Sequence, residues 1–160
     1  MPIINLTDLV ANLSAEERLI GLDPGSKNIG VALSDVRRRV ASPYGTLPRN
    51  KIKAIAFQIT KLAEREQAGG LVVGMPLEED GRMGPRAQAA RDWAWALSEE
   101  VGLPAAMWDE TLTTADVHEM LIGEADLGRR RRAQVIDRLA AARILQGALD
   151  SLGDAQQPLA

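Results

Sequence analysis

Hydrophobic positions along the chain first recur at the spacing of strands. Two short apolar runs, residues 19–23 and 28–35, are separated by a turn that contains Pro24 and Gly25. Because so short a turn reverses the chain, the two runs are predicted to be antiparallel strands. A weaker strand is predicted over residues 40–46, where prolines interrupt the pattern.

Further along the chain, helical spacing alternates with short apolar runs. Apolar residues predict a helix over residues 51–67, which Gly69 and Gly70 are expected to end. The run over residues 71–74 is typical of a buried parallel strand. The remaining predicted elements are a helix over residues 86–100, a strand over 105–109, a helix that begins at Thr113 and a last helix over about 133–149.

This order of elements indicates an α/β fold. A strand, a helix and a further strand form a parallel crossover, whereas the first two strands form a hairpin. We therefore expect a mixed five-stranded sheet with an antiparallel first hairpin and helices on its faces. In such sheets, functional side chains gather at the carboxyl ends of the parallel strands.

The chain is expected to form one domain with two short extensions. Residues 1–18 are interpreted as an N-terminal arm, in which Ser14 and Glu17 have the spacing of a helix cap. Residues 19–152 form the predicted domain, and residues 153–160 are expected to be a flexible tail.

Composition then limits the chemistry. Among 160 residues there are no cysteines and one histidine, His118, which excludes disulfides, thiolate zinc sites and multi-histidine zinc sites. Aromatic residues make up only 3% of the chain, too few for an aromatic platform that stacks on nucleic-acid bases. Carboxylates with a hard cation are the catalytic chemistry that this composition supplies best. The sequence shows no signal peptide and no apolar run of transmembrane length, so no membrane partner is expected.

Two arginine clusters stand out against a net charge of −3. The cluster at residues 37–39 is interpreted as a solvated turn. The second cluster precedes Asp137 and is the better candidate for contacting substrate phosphates, although it too could be a solvated turn. Its members are Arg129, Arg130, Arg131 and Arg132.

Carboxylates stand where the predicted strands end. Asp23 ends the first strand, beside a turn whose backbone N–H groups and Lys27 could hold a phosphate, although Asp-Pro-Gly is also a common turn sequence. Asp109 and Glu110 end the last strand. Strand alternation sends these two side chains to opposite faces, so only one is expected to reach a shared site, and Glu110 could equally be a loop acid near a helix N-terminus.

Asp137 is placed by the last predicted helix. It shares an arc of that helix with apolar residues, so it should face protein, where a carboxylate must be paired or must bind metal. Its partner could be an arginine, either Arg138 or Arg143 on the same helix or a more distant one. Alternatively, carboxylates from two strand ends and a helix can gather one or two divalent cations, and such a site can hydrolyse a phosphodiester.

Four motifs occur in order along residues 19–150. They read Gly-Leu-Asp-Pro-Gly-Ser-Lys-Asn-Ile-Gly at residues 21–30, Leu-Val-Val-Gly-Met-Pro-Leu at 71–77, Trp-Asp-Glu-Thr-Leu-Thr-Thr at 108–114 and Val-Ile-Asp at 135–137. Together they resemble the YqgF family of pre-16S rRNA nucleases, which is also described as Holliday-junction-resolvase-like.

The resemblance implies an RNase H-like fold and three catalytic acids, Asp23, Glu110 and Asp137, that coordinate Mg²⁺ or Mn²⁺. It also implies a cytoplasmic nuclease that trims the 5′ end of precursor 16S rRNA. We expect the chain to act as a monomer or a homodimer. Two positions depart from the family pattern. Thr111 stands where an arginine is usual, and Pro24 stands where an apolar residue is more common but matches the Asp-Pro-Gly of true junction resolvases.

Three alternatives stay open at this point. A Holliday junction resolvase would need a symmetric dimer and would prefer branched DNA. A non-catalytic factor associated with RNA, ribosomes or transcription would bind RNA without cutting it. The turn also resembles the phosphate loop of sugar kinases and actin-like ATPases, but those proteins need two such domains and this chain is long enough for one.

Overall fold

The computed structural model describes residues 3–110 and 129–156, with side chains for residues 3–110 and 136–153. The helix predicted to begin at Thr113 lies outside these residues, as do His118 and Thr111. The elements in chain order are α1 (Leu6–Ala11), β1 (Arg18–Pro24), β2 (Asn28–Ser34), β3 (Ala41–Pro48), α2 (Ile52–Glu66), β4 (Ala68–Met75), α3 (Pro85–Val101), β5 (Ala105–Asp109) and α4 (Arg129–Gln156).

The five strands form one mixed sheet in the order β3-β2-β1-β4-β5. The pairs β1–β2 and β2–β3 are antiparallel, whereas β1–β4 and β4–β5 are parallel. The predicted mixed sheet with an antiparallel first hairpin is therefore confirmed. Because β1, β4 and β5 run in the same direction, their carboxyl ends meet at one edge of the sheet.

Helices cover both faces of this sheet, as predicted. The α2 and α3 helices pack on one face, against side chains such as Ile20 and Leu71. The α1 and α4 helices pack on the other face, against neighbours such as Leu19 and Val72. Since successive strand residues point to opposite faces, the continuous apolar runs of β1 and β4 supply both cores.

Glycines let α4 lie directly on the strands. A Cβ atom at Gly30 in β2 would lie 2.0 Å from the carbonyl oxygen of Asp137, and one at Gly21 in β1 would lie 2.7 Å from Cβ of Leu145. The α4 backbone thus occupies the space that a side chain at Gly30 would need. This contact fixes Asp137 over the first hairpin.

The residues before β1 also pack on the sheet. The N–H of Ile4 donates to the carbonyl of Ala105 at 2.9 Å, which extends the sheet beside β5. Leu9 in α1 is completely buried. The helix in this segment is capped by Asn5, whose side chain accepts a hydrogen bond from the Asp8 N–H at 2.8 Å.

The expected helix start at Ser14 is wrong. Residues 14–17 form a turn that leads into β1, and Glu16 has a positive φ of 72°. The Glu17 side chain still accepts a hydrogen bond from the Ser14 N–H at 2.6 Å, as it would in a helix cap. The local hydrogen bond therefore forms, but the following residues are drawn into the sheet.

The expected role of Gly69 and Gly70 as a helix end is also wrong. Helix α2 ends at Glu66, and its C-cap residue, Gln67, adopts the left-handed conformation with φ 54°. Both glycines lie buried in β4. A Cβ atom at Gly70 would lie 3.1 Å from side-chain atoms of both Leu19 and Leu9, so this part of the strand is closely covered.

Two further boundaries differ from the prediction. Strand β3 runs through Pro43 to Pro48, which is tolerated because it is an edge strand. Helix α4 begins at Arg129 and continues to Gln156, so it includes the first residues of the expected tail. Among the helices described here, none is both long and apolar enough to cross a membrane.

Candidate active site

Asp23 and Glu110 meet at the carboxyl edge of the sheet. Asp23 is next to last in β1, and Glu110 directly follows β5, where its N–H donates to the Met75 carbonyl at 3.1 Å. Burial, the charge of Glu110 and a hydrogen bond to its carboxylate together raise the pKa of Asp23 to about 8. The two carboxyl groups are therefore in direct contact, and protonated Asp23 is the donor.

Glu110 is directed to Asp23 by strand alternation. Asp109, its neighbour in the chain, is exposed, so one of the two acids reaches the site as expected. A Cβ atom at Gly74 would lie 2.7 Å from Oε2 of Glu110 and 2.5 Å from Cδ1 of Ile144. Because Gly74 has no side chain, the Glu110 carboxylate can lie directly above β4.

Asp137 approaches the same edge from α4. Its Oδ1 would lie 3.9 Å from a Cβ atom at Gly25 in the first turn. Burial raises the pKa of Asp137, the nearby Asp23 raises it further, and a hydrogen bond donated by the Asn28 side chain lowers it. Asp137 therefore interacts electrostatically with Asp23 and belongs to the same cluster.

The alternative of a local ion pair for Asp137 finds no support in the described side chains. The ion pairs Arg18–Glu66, Arg65–Glu66 and Arg82–Asp80 do not involve Asp137. Arg138, the next residue of α4, is exposed. A half-buried carboxylate that repels another carboxylate is costly without a cation.

The chemistry of these donors suits a hard divalent cation. Carboxylate oxygens are the ligands that Mg²⁺ and Mn²⁺ prefer, and a cation between Asp23 and Glu110 would remove their repulsion. Among residues 3–110 and 136–153, whose side chains are described, no three acidic or histidine side chains stand close enough to form a ready cage. Mg²⁺ commonly binds through one or two carboxylates and keeps its waters, so the Asp23–Glu110 pair with Asp137 beside it fits such an ion.

The structure describes the side chains of only some of the basic residues that are expected to bind substrate. Lys27 is exposed in the turn between β1 and β2, four residues after Asp23. Arg129, Arg130, Arg131 and Arg132 begin α4, the helix that carries Asp137, and their side chains lie outside the described set.

Sequence reasoning missed the residues that line a cleft beside Glu110. This cleft of about 290 Å³ is bounded by Arg49, Arg86 and Trp93. The spacing of Arg86, Ala90 and Trp93 along α3 was a signal, since residues at i, i+4 and i+7 share one helix face. Arg49 gave no such signal, because its place depends on how β3 pairs with β2.

Several known proteins are similar in sequence to this chain over most of its length. A protein of Gluconacetobacter diazotrophicus named "Putative pre-16S rRNA nuclease" is 54% identical over 154 residues, covering 96% of this chain and 100% of the relative. A protein of Acidiphilium cryptum with the same name is also 54% identical over 154 residues, covering 96% of this chain and 97% of the relative.

Among solved structures, the chain is similar to T. thermophilus RuvC in complex with Holliday junction substrate, with a TM-score of 0.52 at 17% identity. That match covers 89% of this chain and 99% of the RuvC chain, and it shows that the RNase H-like resolvase fold is shared.

A family model described as "RuvX: Holliday junction resolvase" matches residues 17–151. This range contains the three acids and all five strands. The resemblance to YqgF proteins is thereby confirmed, and the chain belongs to the RuvX (YqgF) family of nucleases.

Proposed function

We propose that this chain is a divalent-metal-dependent nuclease that hydrolyses phosphodiester bonds in the 5′-end maturation of precursor 16S rRNA. The contact between the Asp23 and Glu110 carboxyls, with Asp137 beside them, carries the proposal. The names of the relatives support RNA as the substrate. Because rRNA precursors are processed where ribosomes assemble, we place the activity in the cytoplasm.

Asp23, Glu110 and Asp137 would hold Mg²⁺ or Mn²⁺. When bound, such an ion lowers the pKa of a coordinated water and stabilises the oxygen that leaves the phosphodiester. Asp23 keeps its proton up to a pH of about 8 in the metal-free chain, so cation binding must displace that proton. Asn28 holds the Asp137 carboxylate through a hydrogen bond.

The remaining residues would orient the substrate. Lys27 is exposed in the turn that follows Asp23 and would contact a backbone phosphate. We assign the same role to the four arginines at the start of α4, because they precede Asp137 by about two turns of helix. Residues 19–152 would be the nuclease unit, acting as a monomer or a homodimer.

A cleavage assay tests this function. Labelled RNA with a precursor 16S 5′ leader, a linear DNA and a four-way junction are each incubated with Mg²⁺, with Mn²⁺ or with EDTA. We expect the RNA to be cut only with a cation and Asp23→Asn to lose at least about a hundredfold in rate, as is typical when a group that stabilises the transition state is removed.

Asp150→Asn is the matched control, since Asp150 is an exposed acid elsewhere on α4. It should cut as fast as the unchanged chain. Cleavage that persists in EDTA, or that survives Asp23→Asn, contradicts the carboxylate–metal mechanism.

A second candidate function is resolution of Holliday junctions. The fold shared with RuvC and the description of the family favour it. In the same assay, cutting of the four-way junction alone would establish it in place of rRNA processing. Binding of RNA without cutting, under every metal condition, would instead indicate a non-catalytic factor.

A further inference from the structure

The cleft beside Glu110 contains two arginines that the proposed metal chemistry does not use. It lies between the turn that follows β1 and the first turns of α3. Glu110, Arg49 and Arg86 are among the residues that line it. Its volume of about 290 Å³ is near the lower end for small-ligand sites, which suits one nucleotide unit of a chain.

Arg49 is held in place by the first turn. Its backbone N–H donates to the Lys27 carbonyl at 2.8 Å, and its guanidinium donates to the Gly25 carbonyl at 2.8 Å. The guanidinium carbon also lies 5.7 Å from the ring centre of Trp93. A guanidinium has several N–H donors, so Arg49 is fixed and still has donors for a ligand.

Arg86 faces the cleft from the beginning of α3. It is exposed and follows Pro85, the first residue of the helix. No side chain caps this helix, whose N-cap is Gly84. The Glu78 carboxylate lies against Gly84, so Arg86 rather than the helix end supplies the positive charge that favours an anion here.

Positive groups thus stand beside the carboxylates without forming ion pairs with them. The ion pairs among the described side chains involve neither Arg49 nor Arg86. A polynucleotide would supply an anion to these exposed arginines as well as to the metal site, because each phosphate is followed by another along the strand. The alanines that line the cleft, Ala89 and Ala90, leave room for the sugar.

We infer that this cleft binds the phosphate next to the scissile one on a single nucleic-acid strand, with Arg49 and Arg86 as its ligands and Trp93 as the support for Arg49. The inference deepens the proposed nuclease function and rests on it for the scissile position. Strand binding in the cleft itself is measurable without cleavage.

The test is fluorescence anisotropy with a labelled single-stranded RNA from the leader, in EDTA and over a range of salt concentrations. Arg49→Ala and Arg86→Ala should each weaken binding about five- to twentyfold and lower the slope of log affinity against log salt by about one. Arg49→Lys should keep the slope but not the full affinity, because lysine lacks the planar fork.

Arg65→Ala is the matched control. Arg65 also lies over an aromatic ring, that of Tyr44 at 5.8 Å, but it stands in the last turn of α2. Helix α2 ends at the opposite edge of the sheet, because it leads into the start of β4. Binding by this variant should equal that of the unchanged chain, and circular dichroism should show the same fold for all variants.

Unchanged affinity in both Arg49→Ala and Arg86→Ala overturns the inference, whether or not the chain cleaves RNA. Failure of the unchanged chain to bind the strand overturns it as well. If the two variants lose affinity while the unchanged chain cuts no substrate with any cation, the cleft stands as a binding site and the nuclease proposal alone fails.

Discussion

At the scale of single residues, the unusual group is an aspartate that keeps its proton at neutral pH. In the folded chain the pKa of Asp23 is about 8, against an ordinary value of 3.8. Between these two values the folded chain holds a proton that the unfolded chain has released. The free energy of unfolding therefore falls as the pH rises from about 4 to about 8, as long as no cation is bound.

Asp23→Asn removes this dependence, because an amide has no proton to lose. In EDTA at pH 8 we expect the variant to unfold about 3–10 °C above the unchanged chain, since burying one uncompensated charge costs a few kcal/mol. At pH 4, near the ordinary pKa of aspartate, the two should differ little. Thermal denaturation followed by circular dichroism at several pH values measures the effect.

Asp150→Asn serves as the control here too, and its unfolding temperature should follow that of the unchanged chain at every pH. Parallel curves for Asp23→Asn and the unchanged chain would mean that Asp23 is ionised in the fold. Added Mg²⁺ should stabilise the unchanged chain more than Asp23→Asn, because a ligand stabilises the state that binds it.

The acids of the site could be predicted one residue at a time, but their neighbours could not. Strand ends and helix periodicity point to Asp23, to Asp137 and to one of Asp109 and Glu110, since each signal is local, whereas the choice of Glu110 depends on the family resemblance. Arg49 reaches the site through the pairing of β3 with β2, in which Pro48 stands opposite Asn28. Such a register depends on contacts between distant segments, so the sequence showed no pattern for it.

At the scale of elements, Asp137 depends on how closely α4 lies on the hairpin. Gly30→Ala should disturb this contact, because the new Cβ would lie 2.0 Å from the Asp137 carbonyl oxygen. That oxygen belongs to the helix backbone, which cannot change rotamer to avoid the clash as a side chain can. We expect the free energy of unfolding to fall by at least about 1–3 kcal/mol, the usual cost of overpacking. We also expect a weaker stabilisation by Mg²⁺, since Asp137 moves with the helix.

Gly45→Ala is the matched control in the same sheet, because a Cβ atom there would meet nothing within 4 Å. Denaturant titrations with and without Mg²⁺ measure both effects. Equal stability of Gly30→Ala and Gly45→Ala would show that α4 does not rest on Gly30.

The type and approximate bounds of the helices and strands could be predicted where the apolar periodicity of the sequence was strong. Both strands of the hairpin, α2, α3 and β5 lie within a few residues of their predicted bounds. The errors fell on local signals that tertiary packing overrode. Ser14 and Glu17 make a capping hydrogen bond, but no helix follows it. Gly69 and Gly70 lie in a strand that is covered by other side chains, and leucine atoms leave little room there for a larger residue.

At the scale of the whole molecule, the carboxylates gather at one edge of the sheet, and the segment before β1 closes the opposite end. Leu9 packs with Leu19 and Val72 in the core on the α4 face. The family model begins only at residue 17, although this segment contributes to that core. The N-terminal segment is thus expected to act on stability and to leave the chemistry of the site unchanged.

Leu9→Ala tests that division of roles. Leu9 is fully buried, so we expect the free energy of unfolding to fall by about 2–4 kcal/mol, through lost burial and a residual cavity. Thr7→Ala, at an exposed position of the same helix, should cost little. Well below its unfolding temperature, Leu9→Ala should still bind the single strand and still cut with Mg²⁺ as the unchanged chain does. If the folded variant no longer cuts RNA, the N-terminal segment influences the position of the catalytic acids through the sheet, and the division of roles is wrong.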